Sequence, residues 1–117
     1  MSTRSDQSLK VADVMLTLEA CPVADERTIL KEVLEAMDKH RLGVVCIVDQ
    51  AMHLTGILTE GDVRRKLLRV QKPLAALLAD DVITHAVKSP ISITADVPLM
   101  DALDLIGEKK IWDLPVV

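Results

Sequence analysis

The chain has 117 residues, half of them apolar, and a formal net charge of −4. With one Trp, no Tyr and no Phe, it offers neither the positive charge nor the aromatic surface that nucleic-acid binding usually needs. The sequence contains no apolar run of the ~20 residues that a membrane helix requires and no signal-peptide core. We therefore expect a soluble, cytoplasmic protein with one compact core.

The first part of the chain leads into an amphipathic helix. Residues 1–8 are polar, and we expect them to be disordered. A helical turn is predicted over Leu9–Met15, and Cys21–Ala24 follows as a brief extended segment. Thr28 is the predicted N-cap of the helix. The apolar residues that recur at helical spacing behind it are Ile29, Leu30, Val33, Leu34 and Met37.

Two strands and a second helix follow. Val44–Val48 is a β-branched run typical of a strand buried on both faces. Residues 49–53 are predicted to form a turn, and Leu54–Leu58 a second strand. The predicted order is therefore strand, helix, strand, strand, helix.

The segment Gly56–Arg65 places a hydroxyl and a carboxylate where this last helix begins. Asp62 could accept two hydrogen bonds from a ribose diol, Thr59 could reach a phosphate or ribose oxygen, and free N–H groups there would favour an anion. The same two residues also match a capping box, in which they only satisfy the helix start. Arg64 and Arg65 could neutralise a phosphate or form a solvated face. Both interpretations remain open.

The second half of the chain repeats the first. An offset of 69 residues relates Leu30, Leu34, Met37 and Val48 to Leu99, Leu103, Ile106 and Val117, and an offset of 68 relates Asp13-Val14-Met15 to Asp81-Val82-Ile83. The repeated helix is predicted to begin at Asp96-Val97-Pro98 and to end at Gly107. A strand is predicted over Leu114–Val117. Because the second repeat has no counterpart of residues 49–68, we expect a truncated chain or a further tail.

Two such units resemble a tandem pair of CBS domains (a Bateman module), the regulatory module named after cystathionine β-synthase. The resemblance covers about residues 9–117 and rests on Asp13–Met15, Gly56–Asp62 and Ile111–Val117. It implies a disordered leader (1–8), a first CBS motif (9–72) and an incomplete second one (73–117). Gly56–Arg65 further resembles the C-terminal CBS tail of arabinose 5-phosphate isomerases, although similar strings occur in CBS pairs attached to sugar-nucleotidyl transferases.

The resemblance also implies a ligand site. It predicts an α/β fold of two β-α-β-β-α units with pseudo-twofold symmetry, whose clefts bind adenosine-containing or other nucleotides in many relatives. Carried over by position, Thr59 and Asp62 belong to one cleft, which is lined by Pro22, Val23 and Ala24 and by the Val44, Val45 and Cys46 strand. Gly61, Arg64 and Arg65 are further candidates beside them. The second cleft retains only Ile91-Ser92-Ile93 and the strand around Leu114, so we expect at most one well-formed site.

No catalytic or metal-binding pattern is present. Cys21 and Cys46 are interpreted as two reduced core thiols, and His40, His53 and His85 lack metal-ligand spacing. Trp112 could stack on a base or pack in the protein.

Two functional hypotheses follow. The first is a regulatory module that senses an adenine or cytidine nucleotide, with no tightly bound cofactor, and that controls an attached or associated sugar-phosphate enzyme. The alternative is a structural dimerisation module that binds no ligand. Both predict a homodimer through the CBS units, and neither predicts an enzyme within these residues.

Overall fold

The computed structural model describes residues 9–111 and 113–117. The expectations for residues 1–8 and for Trp112 lie outside the described residues. A 3₁₀ helix, Val11–Asp13, comes first. The elements that follow in chain order are β1 (Val23–Asp25), α1 (Leu30–His40), β2 (Val44–Val48), β3 (Leu54–Thr59), α2 (Glu60–Arg69), α3 (Leu74–Leu78), α4 (Val82–His85), β4 (Val87–Lys88) and α5 (Leu99–Lys109). The predicted order of strands and helices in the first repeat is confirmed.

The chain forms two compact units, and each is described by itself. The larger unit is Thr17–Pro90, and among the described residues the smaller joins 9–16 to 91–111 and 113–117. Residues 9–16 therefore pack with the second repeat, and residues 73–90 pack with the first. The predicted boundaries of the CBS motifs remain a prediction, because packing does not show where a duplicated sequence begins.

A four-stranded sheet in the order β1-β2-β3-β4 organises the larger unit. β1 and β2 are parallel, and the β2–β3 and β3–β4 pairs are antiparallel. One face of the sheet meets α1, because the apolar stripe of this helix packs on Val45, Ile47 and Leu58, all 0 % exposed. The buried core residues are Leu30, Val33, Met37, Val45, Ile47, Leu58, Val63, Leu77 and Val82.

The segment around α4 holds the start of α1. Leu30 N donates to Asp80 O (2.9 Å), and Val82 N donates to Thr28 O (2.8 Å). The smaller unit contains the same pattern: Leu99 N donates to Leu9 O (2.8 Å), and Val11 N donates to Val97 O (2.9 Å). These bonds relate Val11 to Val82, an offset of 71 residues. The offset of 68 inferred from Asp13-Val14-Met15 is therefore wrong, because the residues with equivalent bonds lie three positions away from that match.

The segment around α4 contains a polar cluster that the equivalent segment of the smaller unit lacks. Asp80 accepts hydrogen bonds from Lys72 Nζ (2.7 and 2.9 Å) and lies 2.8 Å from His85 Nε2. His85 is buried, and its Nδ1 has no hydrogen-bond partner. Nε2 faces a carboxylate and therefore carries a proton. At the offset of 71, Leu9 and Val14 replace Asp80 and His85 in the smaller unit.

Three predicted helix boundaries are wrong. Ile29 rather than Thr28 is the N-cap of α1, because the main chain of Thr28 is used in bonds to Asp25 and Val82. α5 begins at Leu99, after Pro98, and continues past Gly107 to Lys109. Lys110 ends it in the left-handed conformation (φ 55°), which a non-glycine residue adopts less readily.

The end of the smaller unit contains less regular structure than predicted. Over Leu114–Val117 the described residues form one parallel bridge, between Ile93 and Val116. It is closed by bonds from Ile93 N to Pro115 O (3.0 Å) and from Val117 N to Ile93 O (2.8 Å). None of the described helices has both the length and the apolarity needed to cross a bilayer.

Candidate functional site

One edge of the larger unit's sheet gathers the residues predicted to contact a ligand. β1 and β2 are parallel and both begin at this edge, whereas the antiparallel β3 ends there and leads directly into α2. Val44 is paired with Thr59, and Cys46 N donates to Pro22 O (3.1 Å). The strand starts and the beginning of α2 are therefore adjacent, within a single unit.

The beginning of α2 is a complete capping box. Thr59 is the N-cap residue, and its Oγ accepts a hydrogen bond from Asp62 N (3.2 Å). In return, Asp62 Oδ2 accepts bonds from Thr59 N (3.0 Å) and Thr59 Oγ (2.9 Å). The structural interpretation of this motif is thus confirmed. Contact with a ligand remains a prediction. Acceptor positions on Thr59 Oγ and Asp62 are still available for it.

Arg65 holds the other oxygen of Asp62. Its Nη2 lies 2.7 Å from Asp62 Oδ1, and the Asp62 side chain is 18 % exposed. Partial burial acts to raise the pKa of Asp62, but hydrogen bonds from Arg65 and Thr59 outweigh it and lower the pKa below the usual value. Asp62 is therefore a carboxylate at neutral pH, and Arg65 forms an ion pair with it.

A second carboxylate lies at the same edge. Glu60 N donates to Gly43 O (3.0 Å), which ties the first residue of α2 to the residue before β2. A Cβ at Gly43 would lie 2.9 Å from Glu60 Oε2, so the Glu60 side chain lies over this glycine. Any larger residue at position 43 would displace the carboxylate.

The two faces of the sheet divide the predicted ligand residues. Because side chains alternate along a strand, Val45 points into the core, where it is 0 % exposed, and Ala24 packs against the same cluster. These two can reach a ligand only through their main chain. Val23 and Cys46 are paired and point to the other face, which they share with Thr59.

The remaining predicted residues flank this face. Pro22 is buried, Gly61 is half-buried in the first turn of α2, and Arg64 is exposed. Cys21 and Cys46 are both half-buried, so the interpretation of two core thiols is wrong. Cys46 lies on the face opposite α1 because Val45 and Ile47, its neighbours in sequence, point towards the core cluster.

Sequence reasoning predicted Val44 as part of the lining strand but missed three residues of this edge: Gly43, Ile57 and Glu60. Val44 and Ile57 share the face of Thr59 and Cys46 by strand register. The signal that could have found Ile57 is the pairing of the two strands across residues 49–53, which fixes which positions of β3 face those of β2. Gly43 was detectable as the only Gly directly before a strand.

A cavity of about 580 Å³ lies at the opposite ends of β1 and β2. It is lined by Asp25, Glu26, Arg27, Val48, Asp49, Gln50 and Ala51. None of these was predicted to contact a ligand. Across residues 9–111 and 113–117, no group of three His, Cys, Asp or Glu side chains could hold a metal ion.

A family comparison confirms the resemblance drawn from the sequence. The model of the CBS domain matches residues 11–69, half of the chain. The chain belongs to the CBS-domain family. CBS domains are regulatory modules rather than catalytic ones, and the mixed α/β fold of the chain agrees with this membership.

Several relatives of this CBS protein are sugar-phosphate isomerases by name. Arabinose 5-phosphate isomerase KdsD of Pseudomonas aeruginosa is 34 % identical over 109 residues, which cover 93 % of this chain and 32 % of the relative. KdsD of Yersinia pestis is 30 % identical over 108 residues, 92 % of this chain and 32 % of the relative. The chain thus spans about a third of the length of these relatives.

Solved CBS structures share its fold. CBSX2 in complex with AMP superposes with a TM-score of 0.79 at 24 % identity, over 92 % of this chain and 81 % of that one. The CBS domain pair of MJ0100, in complex with 5′-methylthioadenosine and S-adenosyl-L-methionine, has a TM-score of 0.78 at 20 % identity, over 93 % and 80 %. These likenesses establish the fold of a CBS pair.

Proposed function

We propose that this chain is the nucleotide-sensing regulatory module of a sugar-phosphate-metabolising enzyme similar to arabinose 5-phosphate isomerase. The observation that carries the proposal is the sheet edge at which Val23, Cys46 and Thr59 share the face opposite α1, beside Asp62. An apolar surface next to ordered hydrogen-bond acceptors is suited to a base and its ribose.

Two comparisons support this proposal. Structures with the same fold hold AMP, or 5′-methylthioadenosine and S-adenosyl-L-methionine. The relatives named KdsD are about three times as long as the matched region, so the parent enzyme would carry the catalytic residues elsewhere. The chain itself would act as a homodimeric regulatory part with no catalytic residue of its own.

The mechanism would be differential affinity. A ligand can shift an enzyme between two states only if it binds one state more tightly than the other. The bond from Glu60 N to Gly43 O joins the first residue of α2 to the residue before β2, so a ligand bound at Thr59 and Asp62 would contact a point where two elements meet. The direction of regulation follows from whichever state the ligand prefers.

The test is thermal unfolding of the chain with a panel of adenine and cytidine nucleosides and nucleotides, for wild type and Asp62→Asn. A ligand at a hundred times its dissociation constant adds about 2.7 kcal/mol to the free energy of unfolding. We expect such a shift for wild type and a smaller one for Asp62→Asn. Asp38→Ala, an exposed acidic position on α1, is the matched control. If no compound stabilises wild type, the sensor proposal fails.

A second candidate, a structural dimerisation module, is favoured by exposed leucines. Leu67, Leu68 and Leu74 on α2 and α3 are 51 %, 81 % and 58 % exposed, and under this alternative a second copy of the chain would cover some of them. Under this alternative, Leu68→Glu would convert a dimer to a monomer in analytical ultracentrifugation, and no nucleotide would change the thermal stability.

A further inference from the structure

Two cysteines lie at the beginnings of neighbouring strands in the larger unit. Cys21 comes two residues before β1, and Cys46 is the third residue of β2. The parallel pairing of Val23 with Cys46 places the start of β1 beside this position. The sequence has two cysteines in all, and the fold brings both of them to this point.

One carbonyl oxygen connects the two residues. Cys21 Sγ donates to Pro22 O at 3.7 Å, and Cys46 N donates to the same oxygen at 3.1 Å. The Cys21 sulfur and the Cys46 nitrogen are therefore separated by no more than the sum of these two distances. Since the sulfur of Cys46 lies three bonds from its own nitrogen, the two side chains are neighbours in space, although they are far apart in the sequence.

The segment that carries Cys21 can adjust, whereas the strand that carries Cys46 is fixed. Cys46 lies between buried Val45 and Ile47 and is paired with strands on both sides. Cys21 lies outside the strands, at the end of a turn that is closed by a bond from its own N to Thr17 O (3.2 Å). A disulfide requires Cα atoms about 4.4–6.8 Å apart. A shift of this turn can provide that separation without breaking the sheet.

Both side chains are accessible to small reagents. Each cysteine is half-buried, so a small oxidant can reach it. Across the residues that the structure describes, no three His, Cys, Asp or Glu side chains are grouped so as to hold a metal ion, and the two cysteines are not part of such a set. The reaction that two neighbouring thiols support is reversible oxidation.

We propose that Cys21 and Cys46 form a reversible disulfide that closes the face of β1 and β2 beside Thr59. The oxidant is a small-molecule disulfide. One cysteine thiolate attacks it, forms a mixed disulfide and releases one small thiolate; the other cysteine thiolate then attacks the protein sulfur and releases the second. The two protein thiols lose two protons and two electrons, and the small disulfide becomes two thiols.

The bond would change the candidate site. Cys46 shares its face with Val23 and Thr59, and a bond to Cys21 would hold the preceding turn against this face. A base could then not lie there. This consequence rests on the proposed function, whereas formation of the disulfide does not.

The test is an equilibrium titration of the whole chain, folded and in urea, with mixtures of reduced and oxidised glutathione. Mass spectrometry of the trapped species distinguishes an internal disulfide, which lacks two hydrogen atoms, from mixed and intermolecular disulfides. We expect the equilibrium constant for the internal bond to be at least about thirtyfold larger in the folded chain, as for disulfides that stabilise a fold. An equal or smaller constant in the folded chain would overturn the inference.

A relocated thiol is the matched control. Cys46→Ser combined with Val48→Cys moves the second thiol two residues along β2, about 6.6 Å away, and changes the loop length little. This variant should show no preference for the folded chain. If it forms the internal bond as readily as wild type, the pairing does not depend on the position of Cys46, and the proposal is contradicted.

Ligand binding separates the disulfide from its consequence. Isothermal titration calorimetry with adenosine, AMP, cytidine and CMP compares the reduced and the oxidised chain. We expect a compound that binds the reduced chain to bind the oxidised chain at least about tenfold more weakly. Equal affinities would contradict the closure of the face while the disulfide stands. If neither form binds any of the four compounds, the closure and the proposed function are both overturned, and the glutathione equilibrium still decides the disulfide.

Discussion

The segments 9–14 and 80–85 make the same main-chain hydrogen bonds in two different units, but their side chains differ. Each holds the start of an 11-residue helix, α5 in one unit and α1 in the other. In the larger unit the segment carries Asp80 and buried His85, where the smaller unit has Leu9 and exposed Val14. Main-chain geometry is therefore repeated, whereas the buried histidine and its carboxylate partner occur only in the segment that packs with the candidate site's unit.

The largest expected effect concerns the two equivalent helix starts. Leu30 is 1 % exposed in the core of the larger unit, whereas Leu99 is half-buried. Leu30→Ala should lower the free energy of unfolding by about 2–5 kcal/mol. Leu99→Ala should cost under about 2 kcal/mol. Urea unfolding of both variants measures the difference, and equal losses would contradict the asymmetry.

The polar cluster of Lys72, Asp80 and His85 should contribute the next largest change in stability. His85→Ala removes a buried ring and its bond to Asp80, so the free energy of unfolding should fall by about 1–3 kcal/mol. Val14→Ala, at the equivalent position, should stay within about 0.5 kcal/mol of wild type because Val14 is 56 % exposed. Denaturant midpoints of the two variants provide the test. A neutral His85→Ala would show that the cluster contributes nothing to folding.

Substitution of two glycines by alanine should change the stability by smaller amounts and in opposite directions. Gly107 lies inside α5 with open space around it, so Gly107→Ala should raise stability by about 0.5–1 kcal/mol. A Cβ at Gly56 would lie 3.1 Å from Ile83 Cδ1 and 3.3 Å from Val87 O, so Gly56→Ala should destabilise. Thermal unfolding of both variants checks the opposite signs; a shift in the same direction would contradict this packing.

The smallest expected effect is the acid dependence of the cluster. Hydrogen bonds from Lys72, and then from His85, lower the pKa of Asp80 from its usual 3.8. Because the pKa of Asp80 is lower in the folded than in the unfolded chain, its stabilisation is complete above the unfolded pKa. It is lost as the pH falls through the folded pKa. The stability difference between wild type and Asp80→Asn should therefore shrink from about pH 5 to pH 3. Lys72→Gln should reduce that difference; a difference constant with pH would refute the role of Asp80.

The sequence predicted much of the larger unit because its patterns are local. The stripe of α1, the β-branched run of β2 and the Thr59-x-x-Asp62 motif each lie within a few residues, and all three occur in the structure. The repeat alignment of Asp13 with Asp81 failed because it rested on a shared Asp-Val pair, whereas the equivalent positions are set by hydrogen bonds between segments distant in sequence. Val45 points into the core and not towards the face of Cys46 and Thr59. This could be predicted only from the strand register, which a local sequence pattern does not supply.

The helix ends show the same limit. Thr28 and Gly107 are favourable capping residues by type, but Thr28 is engaged by Val82, and α5 continues to Lys109. At Thr28 a main-chain hydrogen bond, and at Gly107 the continuing helix, overrides the capping preference of a single residue. The position of the Glu60 side chain was not visible either, because it depends on the close approach of Gly43, which precedes β2.

The most direct measurement of the central claim is a titration of ¹⁵N-labelled chain with adenosine and with cytidine, followed by amide chemical shifts. We expect saturable changes at Val23, Cys46 and residues 59–62 with at least one nucleoside. We also expect unchanged amides at residues 25–27 and 49–51, which line the cavity at the other end of the strands. Saturable changes at the cavity, or no saturable change anywhere, would contradict a ligand site at the start of α2.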